Sequence, residues 1–528
     1  MKHKIGELLP GEQPWVGHYL NRAVRNYESY KKQSADYYKA KFEEIGLKFH
    51  VEPFFHQLVC AYLILKEKKF MLLADVGLGK SAAALTAIYG AKLMKQGHHT
   101  LILVPNLINI PSWKAEVEQH RPELSFIGLE GSKADRSELL KQDADIFCIN
   151  YVGVQLLVTK LRPHPHLPER NKRQIDDVLM EEFLSKFDIV VFDEITAVKN
   201  PKSTTFKICK NFKTHARIRM GLTGTPFGRN LGDLWGEYFV IDDGDSLGRS
   251  QFLFEKVFFN MQLNVWGGMD KTFRKFRMPE LKRLMYNSAI RYEQSECYDL
   301  PDIIYKPIPL TLPTEMEPYY LKLKEKIREA IARNNMVLTD IRSLWIQSRE
   351  VLSNFLQITD AENNKIVLDI PSPVKMGALQ ELCLEVPENH KMVIFHEFIR
   401  SGDRIEEMIK NELKEPVLRI KATSKERGAI LESFKNDPTC RFLVLSSHIG
   451  ALGLNLQTAN YVCFYESPVS PIVRRQAEAR VYRTGQKRTT FVYDLYIEGT
   501  IEERILQFLK EGKNLFDELM TNPKLAQL

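Results

Sequence analysis

The octapeptide Ala74-Asp75-Val76-Gly77-Leu78-Gly79-Lys80-Ser81 follows an apolar run, Phe70–Ala74, and leads into an alanine-rich helical stretch, Ser81–Gln96. That order suits the binding of a nucleoside triphosphate. Glycines at 77 and 79 let backbone N–H groups curl around phosphate oxygens, and a helix N-terminus behind them adds positive potential. Lys80 is then placed to reach the β- and γ-phosphates, and the Ser81 hydroxyl to ligate Mg²⁺. A second buried-strand pattern, Asp188–Phe192, ends in Asp193-Glu194. An acid at such a strand end holds Mg²⁺, and the next acid orients water for attack. This spacing assigns Asp193 to the metal and Glu194 to the water, with ATP and Mg²⁺ as the implied ligands. Adjacent carboxylates also occur as loop or capping residues. Their pairing with the phosphate loop is what gives these two weight.

Such groups need a rigid scaffold, and the apolar pattern supplies one. Phe70–Ala74, Thr100–Val104, Asp145–Asn150, Asp188–Phe192 and Arg219–Leu222 read as short buried strands. Helix-period segments such as Ser81–Gln96 and Ser112–His120 separate several of them. This is the pattern of a parallel sheet covered by helices. A second set follows in Met392–His396, Pro416–Ile420, Arg441–Ser446, Tyr461–Tyr465 and Thr490–Tyr496. The predicted class is α/β, with two parallel-sheet lobes at 51–240 and 372–510. Residues 1–50 read as a helical N-terminal segment, with Leu20–Glu44 its helical stretch. The segment 241–371 reads as a helical insertion, with helices over Glu315–Asn335 and Ile341–Gln357, punctuated by Pro301, Pro307, Pro313, Pro371 and Pro373. Leu161–Arg173 (LRPHPHLPERNKR) reads as a Pro/His/Arg-rich loop. Ile501–Leu519 reads as an amphipathic helix that braces the lobes, and 511–528 as a brace or tail.

Composition narrows the class. A chain of 528 residues exceeds one hydrophobic core, so at least two domains are expected. Hydrophobic residues at 44% and charged residues at 27% suit a soluble globular protein. No apolar run reaches bilayer length, so no membrane association is expected. A cytoplasmic setting follows, or a nuclear one in a eukaryote. The charge excess is mild, 74 basic against 67 acidic residues, which permits nucleic-acid binding without demanding it. The seven cysteines form no CxxC or Cys/His cluster, which argues against structural zinc and for reduced thiols.

The motifs in order resemble helicase superfamily 2. DVGLGKS is followed by DEIT at Asp193 and by GLTGTP at Gly221–Pro226. The C-terminal half is similar to the SWI/SNF branch in particular. Ser446–Leu456 (SSHIGALGLNL) resembles that family's ST-AGGLGLNL, and Gln476–Gln486 (QAEARVYRTGQ) its QA--R-HR-GQ. Val104-Pro105 with Trp113, Asn150-Tyr151, Lys199-Asn200, Leu234-Trp235 and Val393–Phe398 match between these. The resemblance spans about 51–510 and is weakest over the middle insertion.

It implies two RecA-like lobes with ATP between them. Lys80, Ser81, Asp193 and Glu194 come from the first, and Asp75, Gly77 and Gly79 belong to its phosphate loop. Gln57 matches the glutamine that reads adenine. Arg480 and Arg483 match the two arginines of the last motif, at least one of them an arginine finger. Arginines three apart also share a solvated helix face, which is the plainer alternative. Gly453 matches the loop coupling ATP to the track, Thr223 and Thr225 the link from cleft to nucleic acid, and Tyr151 and Lys199-Asn200 its approach to the backbone; Trp113 reads as core. Thr196 stands where the family has histidine. Phe227-Gly228-Arg229-Asn230, Tyr465–Pro471 and Ile420–Thr423 also depart from the pattern, which points to a divergent branch of bacteria, archaea and large phages. The implied activity is a DNA-dependent ATPase that translocates on double-stranded or branched DNA. It would remodel protein–DNA complexes or branch-migrate forks and junctions, as in DNA repair. The expected form is a monomeric motor with a possible recruiting protein partner. The alternatives are a motor subunit of a larger DNA-processing or defence complex, and an RNA-directed helicase.

Overall fold

The computed structural model describes residues 12–164, 167–224, 231–263, 269–297, 301–332, 338–359, 365–372, 374–421, 424, 426–450, 454–483 and 485–512. The chain forms two compact units, Met1–Cys297 and Tyr298–Leu528. The first contains β1 (Lys69–Ala74), β2 (Thr100–Val104), β3 (Phe126–Gly128), β4 (Ile146–Asn150), β5 (Thr159–His164), β6 (Leu167–Ile175), β7 (Ile189–Asp193), β8 (Ile218–Thr223), β9 (Phe259–Leu263), β10 (Met269–Phe273) and β11 (Ala289–Tyr292). Seven of these make one sheet in the order β11-β1-β8-β7-β2-β4-β3. Every neighbouring pair in it is parallel. The remaining four pair as antiparallel hairpins, β5 with β6 and β9 with β10.

The unbroken apolar runs explain the central strands. Leu101, Ile102, Leu103 and Val104 of β2 are fully buried, as a strand covered on both faces must be. Each such side chain contributes roughly 1.5–3 kcal/mol when taken out of water. The helix Lys80–Leu93 buries Ala82, Ala83, Ala84, Ala87 and Ala91, small residues that let it lie close to its neighbours.

The second unit contains β12 (Ile303–Leu310), β13 (Phe355–Thr359), β14 (Lys365–Asp369), β15 (Met392–His396), β16 (Val417–Ile420), β17 (Phe442–Ser446), β18 (Tyr461–Phe464) and β19 (Thr490–Ile497). Six form a sheet in the order β12-β19-β18-β15-β17-β16, again parallel throughout. The α/β class and the two parallel sheets are as expected from sequence.

Several segments differ from expectation. The segment 241–371 contributes β11 to the first sheet and β12 to the second. The two helices expected in it run Glu317–Ala332 and Leu338–Leu352, and it also holds Gln251–Phe258 and Met278–Met285. The described residues of the expected loop, 161–164 and 167–173, lie on the strands of the β5–β6 hairpin, with a register shift between Pro163 and His164. The described residues of the N-terminal segment form three short pieces, Pro14–Leu20, a 3₁₀ turn Glu28–Lys32, and Ala35–Glu43. Tyrosine hydroxyls fasten it to the first unit: Tyr19 donates to the Leu247 carbonyl and Tyr27 to the Asn287 carbonyl at 3.2 Å. The last described helix is Ile501–Lys510, whose Ile501 and Ile505 pack with Tyr320, Trp345 and Leu352 of the same unit. Residues 513–528 of the expected brace and tail lie outside the described residues. No helix among the described residues is long and apolar enough to cross a membrane.

Candidate functional site

Parallel strands all end at one edge of a sheet, and ligands bind there. In the first unit β1 runs into the phosphate loop and then the helix Lys80–Leu93. Gly77 and Gly79 both adopt left-handed backbone, with φ of 88° and 67°. The Gln57 side chain lies over Gly79, where a Cβ would stand 2.2 Å from its amide nitrogen. The Lys80 ammonium donates to the carbonyls of Ala74 at 2.8 Å and Asp75 at 3.2 Å, which holds it against the loop. Ser81 is the second residue of the helix.

Gln57 and Asp75 are engaged by protein groups. Gln57 is the third residue of the helix Phe55–Glu67. Its carbonyl oxygen accepts the Phe54 N–H at 3.0 Å, and its amide nitrogen lies 3.4 Å from the Leu78 carbonyl. The His56 ring lies 2.7 Å from the same carbonyl. This helix start is therefore built onto the phosphate loop. The Asp75 carboxylate accepts from Arg291 at 2.5 Å and from the Gln294 N–H at 3.0 Å. Arg291 lies on β11, so Asp75 ties the loop to the edge strand that sequence patterning missed.

Register brings the carboxylates to the same edge. Leu73 of β1 pairs with Thr223 of β8, and Leu222 of β8 pairs with Asp193 of β7. Two inter-strand steps separate β1 from β7, about 10 Å. The Trp113 indole N–H donates to the Asp193 carboxylate at 2.9 Å, and the Tyr151 hydroxyl to the Asp193 carbonyl at 2.9 Å. Trp113 is buried as expected, and it also orients Asp193. Tyr151 is 4% exposed, which corrects its reading as a nucleic-acid contact. Its hydroxyl is committed to the end of β7. Lys199 pairs with Asp233 at 3.2 Å.

Glu194 has φ 46° and ψ 63°, a left-handed conformation costly for a residue with a side chain. It opens the 3₁₀ turn Ile195–Val198, whose Ile195 and Val198 are fully buried and fix the turn. Such strain collects where a side chain must be aimed.

Behind this turn lies a carboxyl that sequence reading passed over. Glu237, on the helix Leu234–Asp242, is 1% exposed, and neither of its oxygens has a hydrogen-bond partner among the described residues. The helix sits flush on the turn because residue 236 is glycine; a Cβ there would meet the Lys199 carbonyl oxygen at 2.5 Å. Burial pushes the Glu237 pKa well above the usual 4.5, and Asp233 and Glu194 raise it further against the pull of Lys199. The folded chain then keeps a proton that the unfolded chain releases near pH 4.5. Stability is lost as pH rises from there towards the folded-state pKa. Glu237→Gln cannot ionise and escapes this loss. Its stability is expected to gain on that of the native chain as pH rises above about 5, by up to about 1.4 kcal/mol per pH unit, read as a growing difference in thermal midpoint. A difference that stays constant over that rise would mean that Glu237 is ionised in the fold.

In the second unit Arg480 lies in the last turn of the helix Pro471–Val481, and its carbonyl accepts the Leu456 N–H at 3.0 Å. Arg483 lies beyond that helix, so a shared helix face does not account for the pair. Arg474 anchors the helix. It is buried, donates to Asp494 at 2.9 Å and Glu478 at 2.5 Å, and also touches the Ser467 hydroxyl at 3.1 Å. Gln486 clamps the following turn by donating to the carbonyls of Ala459 at 2.8 Å and Val481 at 3.2 Å. Gly453, Thr225 and Pro226 lie outside the described residues.

The SNF2-related domain family matches residues 39–259, and the helicase conserved C-terminal domain family matches 374–485. The chain belongs to the SNF2-type ATPases of helicase superfamily 2, a class of ATP-dependent helicase-family enzymes. It is 27% identical over 460 residues to an uncharacterized ATP-dependent helicase of Mycoplasma genitalium, covering 84% of this chain and 40% of that protein. It is 24% identical over 474 residues to the putative ATP-dependent helicase/translocase YwqA of Bacillus subtilis, covering 87% of this chain and 47% of that one. The chain thus spans less than half the length of these relatives. A solved SWI2/SNF2 ATPase core of Sulfolobus solfataricus in complex with dsDNA is 25% identical, with coverage of 89% of this chain and 93% of that one and a TM-score of 0.41.

Proposed function

We propose that the protein is a DNA-stimulated ATPase that translocates on duplex or branched DNA. It would remodel protein–DNA complexes or branch-migrate forks and junctions. The observation that carries this reading is the shared sheet edge of the first unit, where the phosphate loop and Asp193-Glu194 stand two strands apart by register. On this reading Lys80 neutralises phosphate charge and Glu194 orients the attacking water. Asp75 acts by holding the loop to Arg291, and Gln57 by bracing Gly79 while its helix start meets the base. Arg480 and Arg483 complete the set, with one of them stabilising charge on the transferring phosphoryl group.

The donor set suits Mg²⁺. No group of three or more His, Cys, Asp or Glu residues that could cage a metal occurs among the described residues. Magnesium keeps several waters and is usually bound by substrate phosphates with one or two protein oxygens, a role the Ser81 hydroxyl and Asp193 carboxylate fit. When bound, the ion would neutralise charge on the β- and γ-phosphates. The remaining work falls to the protein: Trp113 and Tyr151 fix Asp193, and the strained turn aims Glu194.

Similarity to a relative described as a helicase/translocase supports movement on nucleic acid, and the GLGLNL and RTGQ motifs favour DNA over RNA. The test is steady-state ATP turnover alone and with duplex DNA, single-stranded DNA, a four-way junction and RNA, at two salt concentrations. Stimulation by duplex or junction DNA that fades with salt is expected, because phosphate contacts dominate such binding. Stimulation by RNA alone would overturn the DNA assignment. Silence with every polymer would make the chain a motor that waits for a partner protein.

A further inference from the structure

The β5–β6 hairpin is the sequence feature that the ATPase site leaves unexplained. Between Thr159 and Ile175 it holds Lys160, Arg162, Arg170, Lys172 and Arg173 against one acid, Glu169. The whole chain has a net charge of only +7 over 528 residues, so positive charge is concentrated here. The pairing sets Leu161 opposite Arg173 and Arg162 opposite Lys172. An isolated two-stranded ribbon is marginal in water and has no apolar layer of its own here. Beyond its base, where Thr159 is buried and Ile175 packs on the core, the hairpin is mostly Pro, His and charge, and a charged partner is the economical reason for that composition.

Its base is firmly held. Thr159 is 1% exposed, and its hydroxyl donates to the Gln155 carbonyl at 2.6 Å. Lys133 donates to the Thr159 carbonyl at 3.1 Å, and the Asp176 N–H to the Val158 carbonyl at 2.9 Å. Lys160 pairs with Asp176 at 2.8 Å and so belongs to the base. The hairpin rises from the C-terminal end of the helix Tyr151–Val158, whose first residue bonds the Asp193 carbonyl. Eight helical residues span about 12 Å, so hairpin and catalytic strand sit at the two ends of one short rigid element.

Resting on the reading as a DNA-stimulated ATPase, we propose that this hairpin is a phosphate-gripping finger that holds the backbone of the DNA track. A protein that adds a strand to the hairpin fits less well. Pro163 and Pro168 remove backbone donors from its strands, and charged residues line both, which together blunt strand addition. Phosphate recognition needs neither donors at the strand edge nor an apolar face. It needs lysine and arginine in quantity, which the hairpin has.

The experiment compares the native chain with Arg162→Gln/Arg170→Gln/Lys172→Gln and with the charge-preserving Arg162→Lys/Arg170→Lys. Folding is checked by thermal midpoint, and duplex binding is followed across a salt series. The neutralised variant is expected to bind duplex about 10-fold or more weakly at low salt, with a log–log salt slope shallower by about 2 to 3, since each phosphate contact contributes about 0.9. The DNA concentration for half-maximal ATPase stimulation should rise in step, and the lysine variant should stay near native. Equal affinity and slope in the neutralised and native chains would overturn the finger while leaving the DNA-motor reading intact. If the native chain itself binds no DNA, the motor reading is what fails.

Discussion

Replacing Glu194 by glutamine is expected to stop ATP turnover while leaving nucleotide binding close to native. The substitution keeps the shape and the left-handed backbone of the residue, φ 46° and ψ 63°, and removes only its charge and basicity. The buried anchors Ile195 and Val198 stay in place, so the turn has no reason to collapse. Lys80 and the phosphate loop are equally untouched, which is why affinity should survive. A positioned acid–base group typically contributes about 10²–10⁴-fold to rate, and a fall of that order is expected in kcat. Single-turnover hydrolysis measured beside equilibrium binding of ATP separates the two effects. Turnover at the native rate would remove Glu194 from the water-orienting role. Weak binding with native chemistry would instead make it part of the nucleotide pocket.

The contrast between Glu194 and its neighbours shows what a sequence carries. Phe70–Ala74, Thr100–Val104 and Asp188–Phe192 were legible as strands because strands buried on both faces are apolar without interruption. The edge strands were not. β12 includes Pro307, which read as punctuation, and also Pro309; both are tolerated because β12 lies at the margin of its sheet and pairs with β19 alone. β11 is four residues long and carries Arg291, so its pattern resembled a loop. The hairpin from Thr159 to Ile175 is mostly Pro, His and charge, with no apolar alternation to mark it. Among site residues, Lys80, Asp193 and Glu194 sit in ordered motifs readable in one dimension. Trp113 read as core and Tyr151 as a nucleic-acid contact; both are buried, and their bonds to Asp193 come from tertiary placement that spacing does not encode. Glu237 gave one weak signal, an acid within the apolar run Leu234–Ile241.

Arg483→Ala is expected to leave ATP binding within a few-fold of native and to cut kcat by about 10³–10⁵-fold, the range over which arginine fingers act. The local structure favours Arg483 over Arg480 for this role. Arg480 sits inside the helix Pro471–Val481, in its last turn. Arg483 lies past the helix end, in a turn closed by the Gln486 N–H to the Arg483 carbonyl at 2.9 Å. Gly485 supports the turn with φ 96°. The Gln486 side chain clamps it to the Ala459 and Val481 carbonyls, and Arg474 with Asp494 pins the helix before it. A finger needs such a mount: a guanidinium beside a hydrogen-bonded clamp, so that little reorganisation is left for the moment of phosphoryl transfer. Removing the side chain at alanine leaves that mount intact, so the loss should fall on the chemical step and spare folding. Arg483→Lys should recover little, because an ammonium lacks the planar fork of donors that matches phosphate oxygens. A mild effect at Arg483 with a severe one at Arg480 would transfer the finger to the helical arginine. Mild effects at both would mean that the charge on the transferring group is met by Lys80 and the metal alone.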